Sequence, residues 1–208
     1  FAKGAAAAVT TRRVDGGPCL IVDNPLAALQ AFAASHRGTF RGPMVAITGS
    51  VGKTTTKDLV AALLSTKFRT ARTEGNLNND IGVPRSLLTL DALTQAAVIE
   101  MGANHKGEIA DLCRMARPTE STITAIGEAH LEGFGGSIDD VEKAKGEIAE
   151  ALGLDGTFYV NADDARCRRV AEQRCRAKKV YVGREGDVIV RECRFDEDGE
   201  MLLTIDPV

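Results

Sequence analysis

The apolar residues of this chain follow two different spacings, which predict two kinds of element. Short continuous apolar runs bounded by turn-forming residues are typical of buried strands, and apolar residues that recur every three or four positions are typical of amphipathic helices. The runs occupy residues 44–47, 96–99, 122–126 and 157–160, and the helical spacing occupies residues 53–64, 107–115 and 138–152. Strands that alternate with helices predict an α/β fold, with a mostly parallel, doubly wound sheet flanked by helices.

The two ends of the chain differ from this middle part. Residues 1–40 contain two short apolar runs and one helical pattern, which is too little for a hydrophobic core of their own. We expect them to be the remnant of an N-terminal domain, and residues 41–208 to form a second domain that is incomplete at its C-terminus. Strand-like alternation at 188–195 and 201–205 flanks an Asp-Glu-Asp-Gly sequence, which predicts an antiparallel hairpin.

A glycine-containing turn joins the first predicted strand of this second domain to the helix that follows it. Glycine lets backbone N–H groups approach an anion, and the start of a helix adds partial positive charge, so the turn predicts a phosphate-binding loop. A Walker loop would have glycine where this chain has Ile47, so the loop is a shortened variant. A plain strand-to-helix turn is the alternative, but the Lys-Thr-Thr sequence favours ATP. The predicted nucleotide-binding residues are Gly49, Ser50, Val51, Gly52, Lys53, Thr54 and Thr55.

Within this loop, two side chains have specific expected roles. We expect Lys53 to contact the β- and γ-phosphates and the Thr54 hydroxyl to bind Mg²⁺.

Three further candidates lie after predicted strands, at the sheet edge where open α/β proteins bind ligands. Glu100 follows the strand at 96–99 and is a candidate Mg²⁺ ligand, with a solvated carboxylate as the alternative. His130 lies beyond the strand at 122–126, and a structural role is the alternative for it. Asn161 ends the strand at 157–160 and faces the same edge.

Two other groups of polar residues have an open interpretation. Residues 73–84 are dense in Gly, Asn and Pro and predict a loop, in which Asn76, Asn78 and Asn79 offer uncharged donors and acceptors to a polar substrate. An ordinary connector is the alternative. Lys143 and Lys145 flank the apolar stripe of the helix at 138–152, and this spacing alone predicts two surface lysines.

Composition excludes several classes of protein. The chain has 26 basic and 29 acidic residues, a net charge of −3, which gives no electrostatic basis for a nucleic-acid partner. No apolar run approaches the roughly 20 residues that span a bilayer, so we expect no membrane insertion. Five widely spaced cysteines without a C-x-x-C pair indicate reduced thiols and a cytoplasmic protein. We expect a monomer.

Five stretches, taken together and in order, closely resemble the Mur ligase family. They are ITGSVGKTT (47–55), TEGNLNNDIGVP (73–84), VIEMGANHKGEI (98–109), AHLEGFGGSIDDVEKAKGEI (129–148) and VNADD (160–164). The resemblance covers essentially the whole chain and is strongest to the member that adds D-alanyl-D-alanine. It implies an N-terminal domain for the UDP-sugar, a central ATP-binding domain and a C-terminal domain, of which this chain would hold the end of the first and most of the second.

The resemblance also implies a reaction. ATP would phosphorylate the terminal carboxylate of UDP-MurNAc-tripeptide, and the amine of D-alanyl-D-alanine would attack the resulting acyl phosphate and release phosphate. Lys53 would hold the phosphates, Thr54 and Glu100 one Mg²⁺, and His130 a second. Lys145, rather than Lys143, would be carbamylated by CO₂ into a metal-bridging carboxylate. Asn161 would contact adenine, and the substrate-side loop would contribute Asn76, Asn78 and Asn79.

Two other functions remain possible at this stage. A folylpolyglutamate synthase-like ligase would share the loop and the fold, but the E-G-N-L-N-N and G-A-N-H stretches fit it less well. A nucleotide-binding module without catalysis would need neither a second metal nor a carbamate. Two departures from the family pattern stand out. Val51 occupies a backbone-contributing position often held by Asn or Ser, and the C-terminal domain is missing. We therefore expect the 208-residue piece alone not to turn over.

Overall fold

The computed structural model describes residues 1, 3–128, 131–195 and 201–207. Ten strands and seven helices occur in this part of the chain. The strands are β1 (Ala8–Thr10), β2 (Cys19–Ile21), β3 (Met44–Thr48), β4 (Thr70–Arg72), β5 (Ala96–Glu100), β6 (Glu120–Ile123), β7 (Thr157–Asn161), β8 (Lys178–Gly183), β9 (Val188–Phe195) and β10 (Met201–Pro207). The helices are α1 (Pro25–Arg37), α2 (Lys53–Ser65), α3 (Gly82–Leu87), α4 (Glu108–Ala116), α5 (Leu131–Phe134), α6 (Ile138–Glu150) and α7 (Ala165–Arg174).

Eight strands form one sheet in the order β10-β9-β8-β7-β6-β3-β5-β4. Every neighbouring pair is parallel except β9 and β10, which are antiparallel. The predicted α/β class, the mostly parallel sheet and the C-terminal hairpin are therefore confirmed; the predicted Asp-Glu-Asp-Gly turn lies outside the described residues. The connection after β3 leads to β4 on one side of it, whereas the connection after β6 leads to β7 on the other side, so the direction reverses between the neighbouring strands β3 and β6. Such a switch point opens a crevice at the carboxyl ends of the strands, where the glycine turn begins.

The two faces of the sheet bury different residues because side chains alternate along each strand. On one face, Met44, Ala46 and Ile99 belong to the main core, which is covered by α1, α3, α4, α6 and α7. On the other face, Ile47 and Val98 form a smaller cluster against α2. Glu100 shares the strand side of Val98, so its side chain is directed toward α2 and not toward the main core.

Three sequence-based boundaries or faces need correction. The strand predicted at 122–126 is β6 at Glu120–Ile123, because pairing with β3 ends at Thr48 and Ile123 and the chain then turns to the glycine loop. The loop predicted at 73–84 ends earlier, since α3 begins at Gly82. Pro84 lies in the first turn of this helix, where a proline is tolerated. On α2, the helical spacing of Leu59, Val60, Leu63 and Leu64 predicts one core-facing side. Val60 and Leu64 do pack against the smaller cluster, but Leu59 and Leu63 are 50% and 71% exposed.

The first helix belongs structurally to the main core. Ala33 of α1 is fully buried, and the guanidinium of Arg37 donates hydrogen bonds to the carbonyls of Ala116 (2.5 Å), Phe40 (3.0 Å) and Arg117 (2.9 Å). The ring of His36 lies 2.7 Å from the carbonyl of Leu90. α1 thus packs against α3 and α4, although the sequence pattern associates it with residues 1–40. The domain boundary near residue 40 remains a prediction.

Candidate functional site

The glycine turn between β3 and α2 has a backbone that only glycine adopts easily at two positions. Gly52 has φ 82°, in the left-handed region. A Cβ on Gly49 would lie 1.9 Å from Oγ1 of Thr124, so no side chain fits there. The Ser50 N–H donates to the carbonyl of Ala125 at 2.8 Å, and the Ser50 hydroxyl donates to the carbonyl of Gly127 at 3.0 Å. The segment after β6 therefore supports the turn from one side.

The start of α2 is uncapped, unlike the starts of most helices of this chain. The side chains of Asn24, Ser137 and Asp164 accept hydrogen bonds from the first turns of α1, α6 and α7. α4 also begins at a glycine, but the carboxylate of Glu147 accepts from Gly107 N (2.8 Å) and Ala110 N (3.0 Å). Among the described helices of eight or more residues, only α2 begins without a side-chain acceptor. Its free N–H groups and positive end suit an anion.

Lys53 is the first residue of this uncapped helix. Its ammonium donates to the carbonyl of Gly49 at 2.8 Å, and its half-buried side chain borders a cavity of about 520 Å³. Thr54 and Thr55 follow on the exposed first turn of α2. The loop thus presents a lysine, two hydroxyls and unbonded backbone N–H groups together, which is the donor set that a phosphate chain needs.

Glu100 is the buried carboxylate of the site. Only 1% of it is exposed, so the solvated strand-end alternative does not hold. Its Oε1 accepts from Nδ2 of Asn78 at 2.8 Å, and its backbone N–H donates to the Thr73 hydroxyl at 3.0 Å. Its Oε2 has no hydrogen-bond partner among the described residues. Buried polar atoms are normally satisfied, so a buried carboxylate oxygen without a hydrogen bond, at the carboxyl end of β5, fits a Mg²⁺ ion.

Lys145 is buried in the middle of α6, whereas Lys143, two residues earlier, is exposed. Lys145 is 2% exposed, and its Nζ lies 5.5 Å from the centre of the Phe134 ring. Burial, together with the charge of Lys53, lowers the pKa of Lys145 to about 8. Lys143 Nζ lies 3.9 Å from Oδ1 of Asp140, and its side chain is 68% exposed. The surface position predicted from spacing is therefore correct for Lys143 and wrong for Lys145.

The cavity beside Lys53 brings several sequence candidates together. Lys145 and the three asparagines of the loop line it, and so does Gln30 of α1. Asn79 has a structural task as well, because its Oδ1 accepts from Gly82 N at 2.8 Å and so begins α3. Asn78 holds Glu100. Asn76 makes no side-chain hydrogen bond within the described residues and is free to contact a ligand.

Asn161 lies apart from this cavity. Its Nδ2 donates to the carbonyl of Thr124 at 2.8 Å, and its Oδ1 accepts from Asp163 N at 3.1 Å. It borders a different groove of about 710 Å³, on the α2 face of the sheet, where Tyr159 is 41% exposed. Asn161 thus joins the end of β7 to the segment that supports the glycine turn.

His130 lies outside the described residues. Within the described ranges, no three His, Cys, Asp or Glu side chains are grouped closely enough to hold a metal alone. The four described cysteines whose side chains are placed, Cys19, Cys113, Cys167 and Cys175, are free thiols. No helix in the described part of the chain is both long and apolar enough to cross a bilayer.

Sequence reasoning missed two residues that the structure places at the site. Lys57 is a buried lysine on α2, and its position one turn before the buried Ala61 was a signal that its side chain faces inward. Glu147 caps α4 from α6. It stands two residues after Lys145, in a K-G-E-I sequence that also occurs at Lys106–Ile109, but nothing in the spacing indicates its partner.

Comparison with known proteins identifies close relatives. The model of the Mur ligase middle domain matches residues 47–206. The UDP-N-acetylmuramoyl-tripeptide–D-alanyl-D-alanine ligase of Bacillus subtilis is 36% identical over 203 residues, covering 96% of this chain and 44% of the relative. The corresponding ligase of Escherichia coli is 46% identical over 164 residues, covering 78% of this chain and 36% of the relative. The chain therefore spans less than half the length of these relatives.

Solved structures give the same result. A crystal structure of MurF from Acinetobacter baumannii superposes with a TM-score of 0.90 at 34% identity, covering 99% of this chain and 46% of that one. MurF from Thermotoga maritima in complex with ADP gives 0.84 at 30% identity, covering 98% and 47%. Mycobacterium tuberculosis folylpolyglutamate synthase complexed with ADP gives 0.70 at 18% identity, covering 86% and 50%, and at this identity shares the fold alone.

Proposed function

Because the chain belongs to the Mur ligase family, we propose that it is the nucleotide-binding part of an ATP-dependent ligase that joins D-alanyl-D-alanine to UDP-MurNAc-tripeptide. The observation that carries the proposal is that Lys53, at the uncapped start of α2, borders the same cavity as buried Lys145. Residues 1–40 would be the end of a UDP-sugar-binding domain and residues 41–208 the ATP-binding domain. We further propose a cytoplasmic monomer that needs neither nucleic acid nor a membrane.

In this proposal the chain's own residues bind and orient two anions. Lys53 and the N–H groups of the glycine turn hold the ATP phosphates, and the ammonium withdraws from the Gly49 carbonyl to do so. Asn76, Asn78 and Asn79, which line the same cavity as Lys53, hold the substrate. The substrate carboxylate attacks the γ-phosphorus and forms a P–O bond while the bond to ADP breaks. The amine of D-alanyl-D-alanine then attacks the acyl carbon, loses a proton, and expels phosphate.

Metal ions fit the residues at hand. Thr54 and Glu100 would hold one Mg²⁺ through the hydroxyl and the Oε2 that lacks a hydrogen bond, His130 would hold a second, and a carbamylated Lys145 would be a ligand shared by the two. Bound there, Mg²⁺ neutralises the charge of the phosphates that the two substrates bring together. Asn161 would contact the adenine base from the end of β7, which requires its amide to leave the Thr124 carbonyl.

The lowered pKa of Lys145 supports its carbamylation. The neutral amine attacks the carbon of CO₂, an N–C bond forms, and one proton is released to solvent. A lysine with a pKa of about 8 has roughly a tenth of its amines neutral at pH 7, against less than a thousandth for an ordinary lysine. The side chain of Lys143 is 68% exposed and does not line the cavity beside Lys53, so it lacks the burial that favours this reaction.

Phosphate release tests the proposed function. The complete protein should release phosphate from ATP only when UDP-MurNAc-tripeptide and D-alanyl-D-alanine are both present, with one amide product per phosphate. Release that depends on a folate and glutamate instead would establish the folylpolyglutamate synthase-like alternative. Binding of ATP without turnover under any substrate pair would establish the module without catalysis. The ligase proposal fails on either result.

A further inference from the structure

Lys57 is a buried cation that no part of the proposed chemistry uses. It lies one helical turn after Lys53 on α2, and its side chain is 3% exposed. Its Nζ donates to the carbonyl of Gly75 at 3.3 Å and lies 3.4 Å from Oδ1 of Asp58 and 4.0 Å from Oε2 of Glu100. An ammonium has three donors on a flexible stem, so it can serve three acceptors that lie in different directions.

The Gly75 carbonyl belongs to the tip of the loop that carries the three asparagines. Residues 74–77 otherwise make only local hydrogen bonds, from Leu77 N to the Glu74 carbonyl and from Asn78 N to the Asn76 carbonyl. Within the described residues, the bond from Lys57 is the one hydrogen bond that joins residues 74–77 to another element. Gly75 is exposed, and a Cβ built on it would meet no atom within 4 Å. Packing therefore does not hold the tip at Gly75, although the backbone of Leu77 lies close against Gly82 of α3.

The base of the same loop is held by Glu100. Its Oε1 accepts from Asn78 at 2.8 Å, and the Asn78 carbonyl accepts from Gly102 N at 2.8 Å. Lys57 is the cation nearest to the unpaired Oε2 of this carboxylate. One lysine thus contacts the loop tip and faces the carboxylate that holds the loop base. A buried carboxylate without a nearby cation would strongly lower the stability of the folded protein.

We propose that Lys57 is a positioning residue that ties the asparagine loop to the phosphate-binding helix. The tie fixes the distance between Lys53, which precedes Lys57 by one turn, and Asn76, which lines the same cavity. Through it, the loop that holds the substrate is anchored to the same helix that holds ATP. The tie itself follows from geometry alone; its consequence for substrate binding rests on the proposed function.

Hydrogen–deuterium exchange of the complete protein tests the tie without any substrate. Lys57→Met keeps much of the apolar stem and removes the ammonium. We expect amide exchange in residues 73–80 to rise at least tenfold while exchange in β3 and β5 is unchanged. Asp58→Asn is the control, because it removes the charge of the carboxylate that Lys57 shares with Arg72 and leaves the bond from Lys57 to Gly75, so any effect of the Arg72 contact on the loop appears in this variant as well. Unchanged exchange in residues 73–80 of Lys57→Met would overturn the proposal.

Steady-state kinetics test the consequence for binding. In Lys57→Met, KM for the UDP-linked substrate should rise about tenfold, with KM for ATP changed less than twofold, and Lys57→Arg should recover much of the loss. A general loss of stability would instead affect both substrates equally, and that result overturns a positioning role. Because exchange needs no substrate, a failed ligase assignment would leave its result intact.

A second variant allows the same test if Lys57→Met does not fold. Lys57→Met leaves Glu100 buried without a nearby cation, so the protein could unfold for that reason alone. Lys57→Met combined with Glu100→Gln removes the charge imbalance and keeps an oxygen to accept from Asn78. Faster exchange confined to residues 73–77 is expected in this double variant. If the amides of residues 73–77 exchange no faster in the double variant than in Glu100→Gln alone, the proposal is overturned.

Discussion

Lys53 and Lys145 border one cavity, but their surroundings have different origins. The environment of Lys53 comes from its immediate neighbours, since its ammonium contacts the carbonyl of Gly49, and Gly52 supplies the left-handed turn before it. The environment of Lys145 comes from distant segments, namely Phe134 and Lys53 itself. The role of a residue in a local motif can therefore be predicted from the sequence. The role of a residue inside a regular helix depends on which other segments pack around it, and the sequence pattern does not show this.

The same comparison separates the two lysines of α6. Lys143 and Lys145 are two positions apart, which turns their side chains to different sides of the helix. One is 68% exposed beside Asp140, and the other is almost fully buried. Chemical identity and local sequence hardly distinguish them. Burial, with a smaller contribution from the charge of Lys53, lowers the pKa of Lys145, and the same inward position makes it part of the cavity lining.

The largest effect that we expect concerns the cost of burying Lys145. In CO₂-free buffer, Lys145→Met should raise the free energy of unfolding at pH 7 by up to about 3 kcal/mol, because the pKa falls from 10.5 to about 8 on folding. Below pH 8 the lysine is charged in both states and the cost is complete. Between pH 8 and 10.5 the unfolded chain binds more protons, so the wild type gains stability and the advantage of the variant shrinks.

Urea unfolding at several pH values measures this difference. Lys143→Met is the matched control and should change stability by less than about 0.5 kcal/mol, as is usual for exposed positions. An equal effect of the two substitutions would remove the contrast between the two lysines.

A somewhat smaller effect is expected for the local motif. Lys53→Ala should weaken Mg²⁺-dependent ATP binding about 100-fold, since a charge-assisted contact to phosphate is worth about 2–3 kcal/mol. Titration calorimetry of the complete protein measures it, with the exposed Lys67→Ala as control. Retention of wild-type affinity in Lys53→Ala would mean that the glycine turn is an ordinary strand-to-helix connection.

Glu100→Gln should weaken Mg²⁺ binding, by less than Lys53→Ala weakens ATP binding. The amide keeps an oxygen for Asn78 but loses the charge at the unpaired Oε2. We expect the Mg²⁺ concentration for half-maximal ATP binding to rise about tenfold. A titration with Mg²⁺ at fixed ATP measures this, and an unaltered midpoint would exclude Glu100 as a ligand.

The smallest expected effect is at Asn161. Asn161→Ala removes the hydrogen bonds to Thr124 and Asp163, which should lower the free energy of unfolding by about 1 kcal/mol. Asp155→Ala, in the turn before β7, is a suitable control. Nucleotide selectivity should also relax if Asn161 contacts adenine, so ATP and GTP affinities would approach each other. Unchanged stability and selectivity together would assign Asn161 no role.

The sequence was most informative where structure is local. The glycine turn, the buried strands at the apolar runs and the C-terminal hairpin are each indicated by a short continuous stretch of sequence. The sequence was least informative about which side of a helix packs against the core. On α2, the spacing favoured four residues as one core-facing side, namely Leu59, Val60, Leu63 and Leu64. Only Val60 and Leu64 pack against the sheet, together with Ala61, and the other two are exposed. The side chain of Lys57 is buried between α2 and the sheet, where Glu100 and the Gly75 carbonyl are its acceptors. Both acceptors are far from Lys57 in the sequence, so the local pattern does not reveal them.

Carbamylation of Lys145 tests most directly the claim that tertiary burial gives this residue its chemistry. The measurement is a ¹³C NMR spectrum of the complete protein in ¹³C-bicarbonate buffer, recorded also for Lys145→Ala and Lys143→Ala. We predict a carbamate signal in the wild type and in Lys143→Ala, and its loss in Lys145→Ala. A signal that persists in Lys145→Ala and disappears in Lys143→Ala, or no signal in any of the three, would contradict the account.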